Sequence, residues 1–328
     1  MSAAGGGLLC PLDYINIRRW MMEAIRSTGT KARRKMPFAG MKAGSIFFLL
    51  TVPALVLYVL FFVFPVGMGI YYSLTDWNGF SKTYRFIGLS NYIELLRDSR
   101  FLHSLKFTFV YTGLVVVLKL GVALALALLL TGPLKLRGLF RSIFFFPAVL
   151  SMITVGLIFN QIFFSVLPPI GESLGLEWLS KNILGSKDTA IFGIVLTNVW
   201  QGFAVPMVIF IAGLASVPKD LREAATIDGA SPVQRFFSVT LPFLIPMLNV
   251  NLVLAIKGGL TVFDTIVAMT DGGPAQATES IGFLIYKHGL SEMKFGYGTA
   301  EAIYVFLLIA LISFVQFKFL NRKEAGQQ

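Results

Sequence analysis

Side chains able to hold a polar or charged ligand are scarce in this chain of 328 residues, and most of them interrupt long apolar runs. Asn160 and Gln161 fall in one run, Asn198 and Gln201 in a second, and Asn249, Asn251, Lys257 and Thr261 in a third. Polar groups are costly in hydrocarbon, so those inside a membrane segment face a bundle interior, a partner group or a watery path. Asn198 and Gln201 are three apart and share a helical face, with Trp200 and Gly202 beside them. Each such residue has two roles open to it: a tie between helices, or contact with a hydrophilic cargo. Lys257, next to Gly258 and Gly259, is expected to be buried and to need an anion. Either Asp264, two turns along and on a similar face, answers it, or an acidic cargo does. Lys119 would serve in the same way or snorkel toward water.

Other chemistries are excluded by what is missing. One cysteine, Cys10, leaves no internal disulfide, and with two isolated histidines it leaves no conventional zinc site. No Gly-x-x-x-x-Gly-Lys followed by Ser or Thr occurs, so the chain has no phosphate-cradling loop and no cofactor is expected on it. Asp264 is the only acid clearly inside an apolar run, which does not make a proton relay. The net charge of +11 is compatible with nucleic-acid binding. A chain that is 55% hydrophobic and 14% charged, with 31 Phe, explains it better as the Lys and Arg excess of cytoplasmic loops in a bilayer protein, so no nucleic-acid partner is expected.

The elements that position these residues are six apolar runs, each long enough for a helix of about 20 residues to cross a bilayer. They are Ser45 to Ile70, Phe107 to Leu130, Ile143 to Val166 (stopped by Leu167-Pro168-Pro169), Ala190 to Leu214, Phe243 to Met269 and Ala300 to Phe319. Residues 1–42 form a basic arm, 43–320 the membrane domain and 321–328 a tail. The arm lacks the short basic region and cleavage site of a secretory signal, and Ile15 to Ile25 suits either a surface helix or a loose tail. With the arm inside, the inner segments carry seventeen Lys and Arg and the outer loops nine, which puts both termini in the cytoplasm.

Between the fourth and fifth runs lies a stretch too polar for lipid, the loop 217–242. Pro218 suits a helix start, and Glu223-Ala224-Ala225-Thr226-Ile227-Asp228 leads to Gly229, the residue that best tolerates a left-handed helix end. Ser231-Pro232 and Leu241-Pro242 are expected to punctuate it. The order Glu223-Ala224-Ala225, Gly229, then Val239-Thr240-Leu241-Pro242 resembles the loop signature of membrane subunits of binding-protein-dependent ABC importers; Val239 departs mildly from the usual Ile. Further stretches resemble the carbohydrate branch of that family: Ser73 to Trp77, Phe86 to Tyr92, Arg141 to Pro147, Asn198 to Gly202, and Val262-Phe263-Asp264 with Gly272-Gly273-Pro274. The likeness runs from about Phe47 to Arg322.

That resemblance implies an all-α integral membrane protein of the type I ABC importer permease fold, with six transmembrane helices and a cytoplasmic coupling helix between helices 4 and 5. It implies a multi-pass subunit of the bacterial cytoplasmic membrane, itself no enzyme. Partner ATPase subunits would bind ATP and Mg as a dimer, and a second permease and a periplasmic or extracellular sugar-binding protein would complete the importer. Glu223, Ala224, Ala225, Asp228 and Gly229 would then form the coupling contact. Asn198, Gln201, Gly202 and Val205 match positions that line the sugar site in the family's disaccharide permease, and Gly258, Gly259 and Val262 fall in its second lining segment. Trp200, Asn251, Lys257 and Thr261 complete the candidate path, and Lys257 favours an acidic sugar such as a uronate oligosaccharide or a sugar phosphate. The competing reading is a gradient-driven transporter or channel, which would move cargo without ATP.

Overall fold

The structure is a computed structural model, and it describes residues 43–324. The basic arm, the surface-helix expectation for Ile15 to Ile25, Cys10 and the end of the tail lie outside the described residues. The chain falls into two units, one ending at Pro65 and the other starting at Val66. In the first, α1 (Ala43–Tyr58) continues through a widened π turn at Val59–Val63. Tyr58 and Phe62 stack along it, their ring centroids 5.0 Å apart.

Helices alone form the regular structure of the described residues, apart from an isolated bridge between Thr75 and Phe86. After α2 (Phe64–Tyr72) come α3 (Ser90–Leu95), α4 (Ser99–Thr131), α5 (Arg137–Phe145), α6 (Met152–Gln161) and α7 (Leu167–Leu174). Then follow α8 (Ala190–Gly202), α9 (Ala204–Ala215), α10 (Lys219–Ile227), α11 (Pro232–Arg235), α12 (Leu241–Leu260), α13 (Asp264–Met269), α14 (Ile281–Tyr286) and α15 (Phe295–Glu324). Five continuous helices are long and apolar enough to cross a bilayer: Thr51–Tyr72, Ser99–Thr131, Met152–Leu174, Pro232–Leu260 and Phe295–Lys318. The pair α8 and α9 meets the same test jointly, bent by 48° at Phe203. Large side chains such as Phe164, Phe306 and Phe317 are exposed along these helices, as lipid contact requires and water would penalise.

The helix α4 runs through the middle of the second unit, packed against α9 and α12. One core joins Phe107, Tyr111 and Val115 of α4 to Ile194 and Val199 of α8 and to Val262 and Ile266 beyond α12. Another joins Ala123 and Ala127 to Met207, Phe210 and Leu244. Hydrophobic burial drives little between helices in lipid, so close approach matters more. At Gly259 a Cβ would come within 2.7 Å of Thr112 Cγ2, and at Gly156 within 2.6 Å of Ala268 Cβ.

Three expected boundaries are corrected. The third crossing begins at Met152 rather than Ile143, because Arg137–Phe145 is a separate amphipathic helix followed by a short 3-10 turn at Phe146–Val149. Pro168 and Pro169 do not stop that crossing. A π turn at Ile162–Val166 precedes them, so they occupy the first turn of α7, where a missing N–H costs nothing. The fifth crossing runs from Pro232 to Leu260 rather than from Phe243 to Met269: Pro242 does not punctuate the loop but follows a π turn at Phe236–Thr240 and sits at the start of α12. It then breaks over Thr261–Phe263 before α13 restarts at Asp264.

Candidate functional site

The polar loop is built from local rules. Pro218 caps α10 with extended backbone (ψ 135°), and Asp220 falls in the first turn, where the helix dipole favours an acid. At the other end the Gly229 N–H donates to Thr226 O (3.2 Å) and the Ala230 N–H to Ala225 O (3.0 Å), the paired bonds of a Schellman motif. Gly229 stands at its left-handed position, φ +76°, where a side chain would be strained. Ser231 and Gln234 form a reciprocal capping box that starts α11. Arg235 ties the two helices by donating to Thr226 Oγ1 (2.6 Å), and Arg222 donates to Val217 O (3.1 Å).

This bracing leaves the outer face of α10 free. Glu223, Ala224, Asp228 and Gly229 are exposed and Ala225 is half-buried. Ile227 is 86% exposed, an apolar side chain on a segment otherwise too polar for lipid. A rigid helix carrying small residues, two carboxylates and an uncovered isoleucine suits a protein groove better than water.

The interior polar residues divide into two groups. Asn198, Gln201 and Asn251 are buried and hydrogen-bonded within the chain. Lys119 Nζ donates to Asn198 Oδ1 (2.7 Å), Gln201 Nε2 to Leu150 O (2.7 Å) and Asn251 Nδ2 to Pro206 O (3.3 Å). Asn160 Nδ2 donates to Met269 O, and Gln161 Nε2 donates to Ser165 Oγ at 2.8 Å. Asn249 is buried in α12. Gly259 and Val262 are buried by packing. Trp200, 37% exposed, tilts against Phe159 (centroids 5.2 Å), and Val205, Gly258 and Thr261 are exposed, with Gly202 half-buried. Trp200, Val205, Gly258 and Thr261 thus each stay exposed, while the buried amides tie helices. Gln201 Oε1 and Asn251 Oδ1 keep no hydrogen bond although buried, each an acceptor still unused.

The expectation for Lys257 is corrected. It is exposed, not buried, and it makes no ion pair with Asp264 among the described residues. The helix break over Thr261–Phe263 destroys the common face that an unbroken helix would have given the two. The lysine drawn into the interior is Lys119, whose ammonium reaches across to α8. A Lys at the centre of a span costs about 2.5–3.5 kcal/mol, so a dedicated partner there is informative.

Sequence reasoning missed a second polar cluster, at the Ser99 end of α4. Arg100 binds Glu279 in a fork (Nε to Oε2 2.8 Å, Nη2 to Oε1 2.7 Å) and Glu292 through Nη1 (2.7 Å). His288 Nδ1 lies 2.8 Å from Glu301 Oε1, and Tyr297 Oη donates to Asp98 Oδ2 (3.0 Å). Glu279, His288 and Glu301 are all buried. Burial raises the Glu292 carboxyl, but the Arg100 hydrogen bond and the His288 and Arg100 charges outweigh it and hold the group below its usual range. Asp98, His288 and Glu301 bring donor atoms within 4.8 Å of one another. Asp98 is already engaged by Tyr297 and by backbone N–H groups, and the nearby guanidinium opposes a second cation. Nothing in the local spacing announces this cluster, since Arg100 and Glu279 are 179 residues apart.

Bent and broken apolar helices, ties between them made by amides, and one self-braced polar loop define a multi-pass helical membrane protein. A family model described as binding-protein-dependent transport system inner membrane component matches residues 118–324, and the chain belongs to that family. It is 40% identical over 270 residues to the multiple sugar-binding transport system permease protein MsmF of Streptococcus mutans, covering 82% of this chain and 93% of that one. It is 34% identical to the probable starch degradation products transport system permease protein AmyD of Thermoanaerobacterium thermosulfurigenes, with 86% and 96% covered. The sn-glycerol-3-phosphate transport system permease protein UgpA of Yersinia pseudotuberculosis is 33% identical, with 84% and 94% covered. Among solved structures, a bacterial ABC transporter involved in the import of the acidic polysaccharide alginate superposes with a TM-score of 0.74 over 87% of this chain and 98% of that one; at 21% identity it speaks for the fold.

Proposed function

We propose that this chain is a permease subunit of an ATP-driven, binding-protein-dependent sugar importer, forming the translocation path by alternating access. The observation that carries the reading is the loop 217–242: in a chain of this permease family, it presents Glu223, Ala224, Asp228 and Gly229, with Ala225 half-buried, on a capped helix whose outer face nothing among the described residues covers. Its role is to seat in a cytoplasmic ATPase subunit and pass nucleotide-driven motion to the flanking spans. ATP and Mg are bound by that partner dimer, and the chain has no cofactor of its own. With the bent pair α8 and α9 counted as one crossing there are six spans, both termini are cytoplasmic, and α10 lies between spans four and five. A second permease and a sugar-binding protein complete the complex.

The cargo is an oligosaccharide or related sugar, carried past Trp200, Gly202, Val205, Gly258 and Thr261, with Asn198, Gln201, Asn251, Lys257, Gly259 and Val262 supporting or lining the path. The names of the relatives include sugars, starch degradation products and a phosphate ester, so an anionic cargo is within the family's range. Reconstitution of the complete transporter in proteoliposomes tests the reading. Sugar uptake is expected to require both ATP and the binding protein. Uptake driven by an ion gradient without ATP would establish the secondary-transporter alternative instead.

A further inference from the structure

Lys119 stands within the membrane span of α4, and its ammonium is held 2.7 Å from Asn198 Oδ1 on α8. Its stem crosses Gly202 so closely that a Cβ at that position would stand 2.7 Å from Lys119 Cε and 2.6 Å from Nζ. Among the described residues no carboxylate lies within 4.0 Å of this ammonium. An ammonium carries three donors, so one amide partner leaves two without an acceptor. Asn198 and Gly202 lie at i and i+4 on α8, and the Lys119 side chain runs along the line between them. Gly202 and Lys119 are both half-buried, so the tethered ammonium is not sealed inside the chain.

A glycine under the lysine stem and an amide oxygen at its tip fix a cation in the span without neutralising it. A tie between helices needs no charge, because a glutamine could serve Asn198 at lower cost in hydrocarbon. Lys257, the lysine of the fifth crossing, has no such tether among the described residues and is exposed. We infer that Lys119, held by Asn198 over Gly202, is the specificity-determining residue of the translocation path and binds the anionic group of the cargo. A carboxylate or phosphate ester supplies the oxygens that its two free donors lack. The inference rests on the sugar-permease reading and names the cargo class within it.

The test uses the complete transporter, with its ATPase, second permease and binding protein, in proteoliposomes. Uptake of trigalacturonate, glucose 1-phosphate and maltotriose is measured in competition. The wild type is expected to prefer one of the two anionic probes, and which one is preferred tells carboxylate from phosphate. Lys119→Met is expected to raise KM for that probe and to lower the ratio of anionic to neutral uptake at least about tenfold, while Lys119→Arg retains most of it. Asn198→Asp guards against misfolding: it keeps the tie and the volume but places a counter-ion on the ammonium, and the same loss of selectivity is expected. A ratio unchanged within about twofold in assembled Asn198→Asp, or a wild type that accepts only maltotriose, would overturn the inference. ATP-driven uptake of no sugar at all would instead overturn the sugar-permease reading.

Discussion

The loop 217–242 and the Arg100 cluster are both polar, and they are built in opposite ways. The loop is stabilised by contacts a few residues apart, namely a Schellman end at Gly229, a capping box at Ser231 and the Arg235 to Thr226 bond, and it keeps its outer face uncovered. The Arg100 cluster joins side chains of residues 98–100 to side chains of residues 279–301, far apart in sequence, and buries three of them. A surface meant for a partner can be ordered cheaply and locally. A joint that holds helices together must draw its groups from many places, and removing one partner strands the rest.

That contrast can be broken or sharpened by substitution. The largest effect is expected from Arg100→Met, which leaves the buried Glu279 without its cation, while Glu292 keeps Lys294 at 3.4 Å. A loss of about 3 kcal/mol or more follows from an unpaired buried charge, read as a drop in thermal unfolding temperature of the detergent-solubilised protein. A melting temperature equal to wild type would show that the cluster holds nothing together. Glu223→Lys should do the reverse: uptake falls at least about tenfold through loss of the partner contact, while melting of the isolated permease is unchanged. Normal ATP-driven uptake by that variant would remove the coupling role from α10.

Smaller effects separate geometry from contact. Gly229→Val forces a β-branched residue to φ near +76°, at a cost of about 1–2 kcal/mol confined to the loop. Uptake should fall more than melting temperature, and equal sensitivity of both would mean that the loop is part of the cooperative fold. The smallest effect is a pH dependence. The folded-state value of Glu292 lies below its ordinary range, so its contribution to stability is present above the unfolded value. It is lost as the pH falls through the folded value. Melting measured from neutral pH into the acid range should show this loss in the wild type and a flatter profile in Glu292→Gln.

Much of the candidate loop was legible because its determinants are neighbours in sequence. Pro218, Gly229 and Ser231-Pro232 each act within a few residues, and the structure gives α10 at Lys219–Ile227 where their types imply it. The apolar runs were legible for a similar reason, since hydrocarbon demands a continuous helix. Their ends were less so. Pro168, Pro169 and Pro242 read as stops, yet widened turns just before them absorb the missing N–H groups. The polar interior was legible as a set of residues but not as a set of contacts. Lys119 and Asn198 are 79 residues apart, and no spacing predicts their bond. Lys257 and Asp264 looked paired only while one helix was assumed to carry both.

By itself, then, the sequence determined that this chain belongs in a bilayer, that its apolar segments are helical, and that the stretch around Glu223 to Gly229 is an exposed, capped helix. These follow from solvation and from short-range backbone chemistry, which act wherever the residues are. Tertiary structure alone decided which lysine enters the interior, which amides are spent on ties and which acids meet Arg100. The physical reason is that a bend of 48° at Phe203, π turns and a break after Leu260 re-aim the faces that the neighbouring helices present to the unbroken α4. Each added residue in a turn moves the next face by about 100°, enough to carry a side chain from lipid to core.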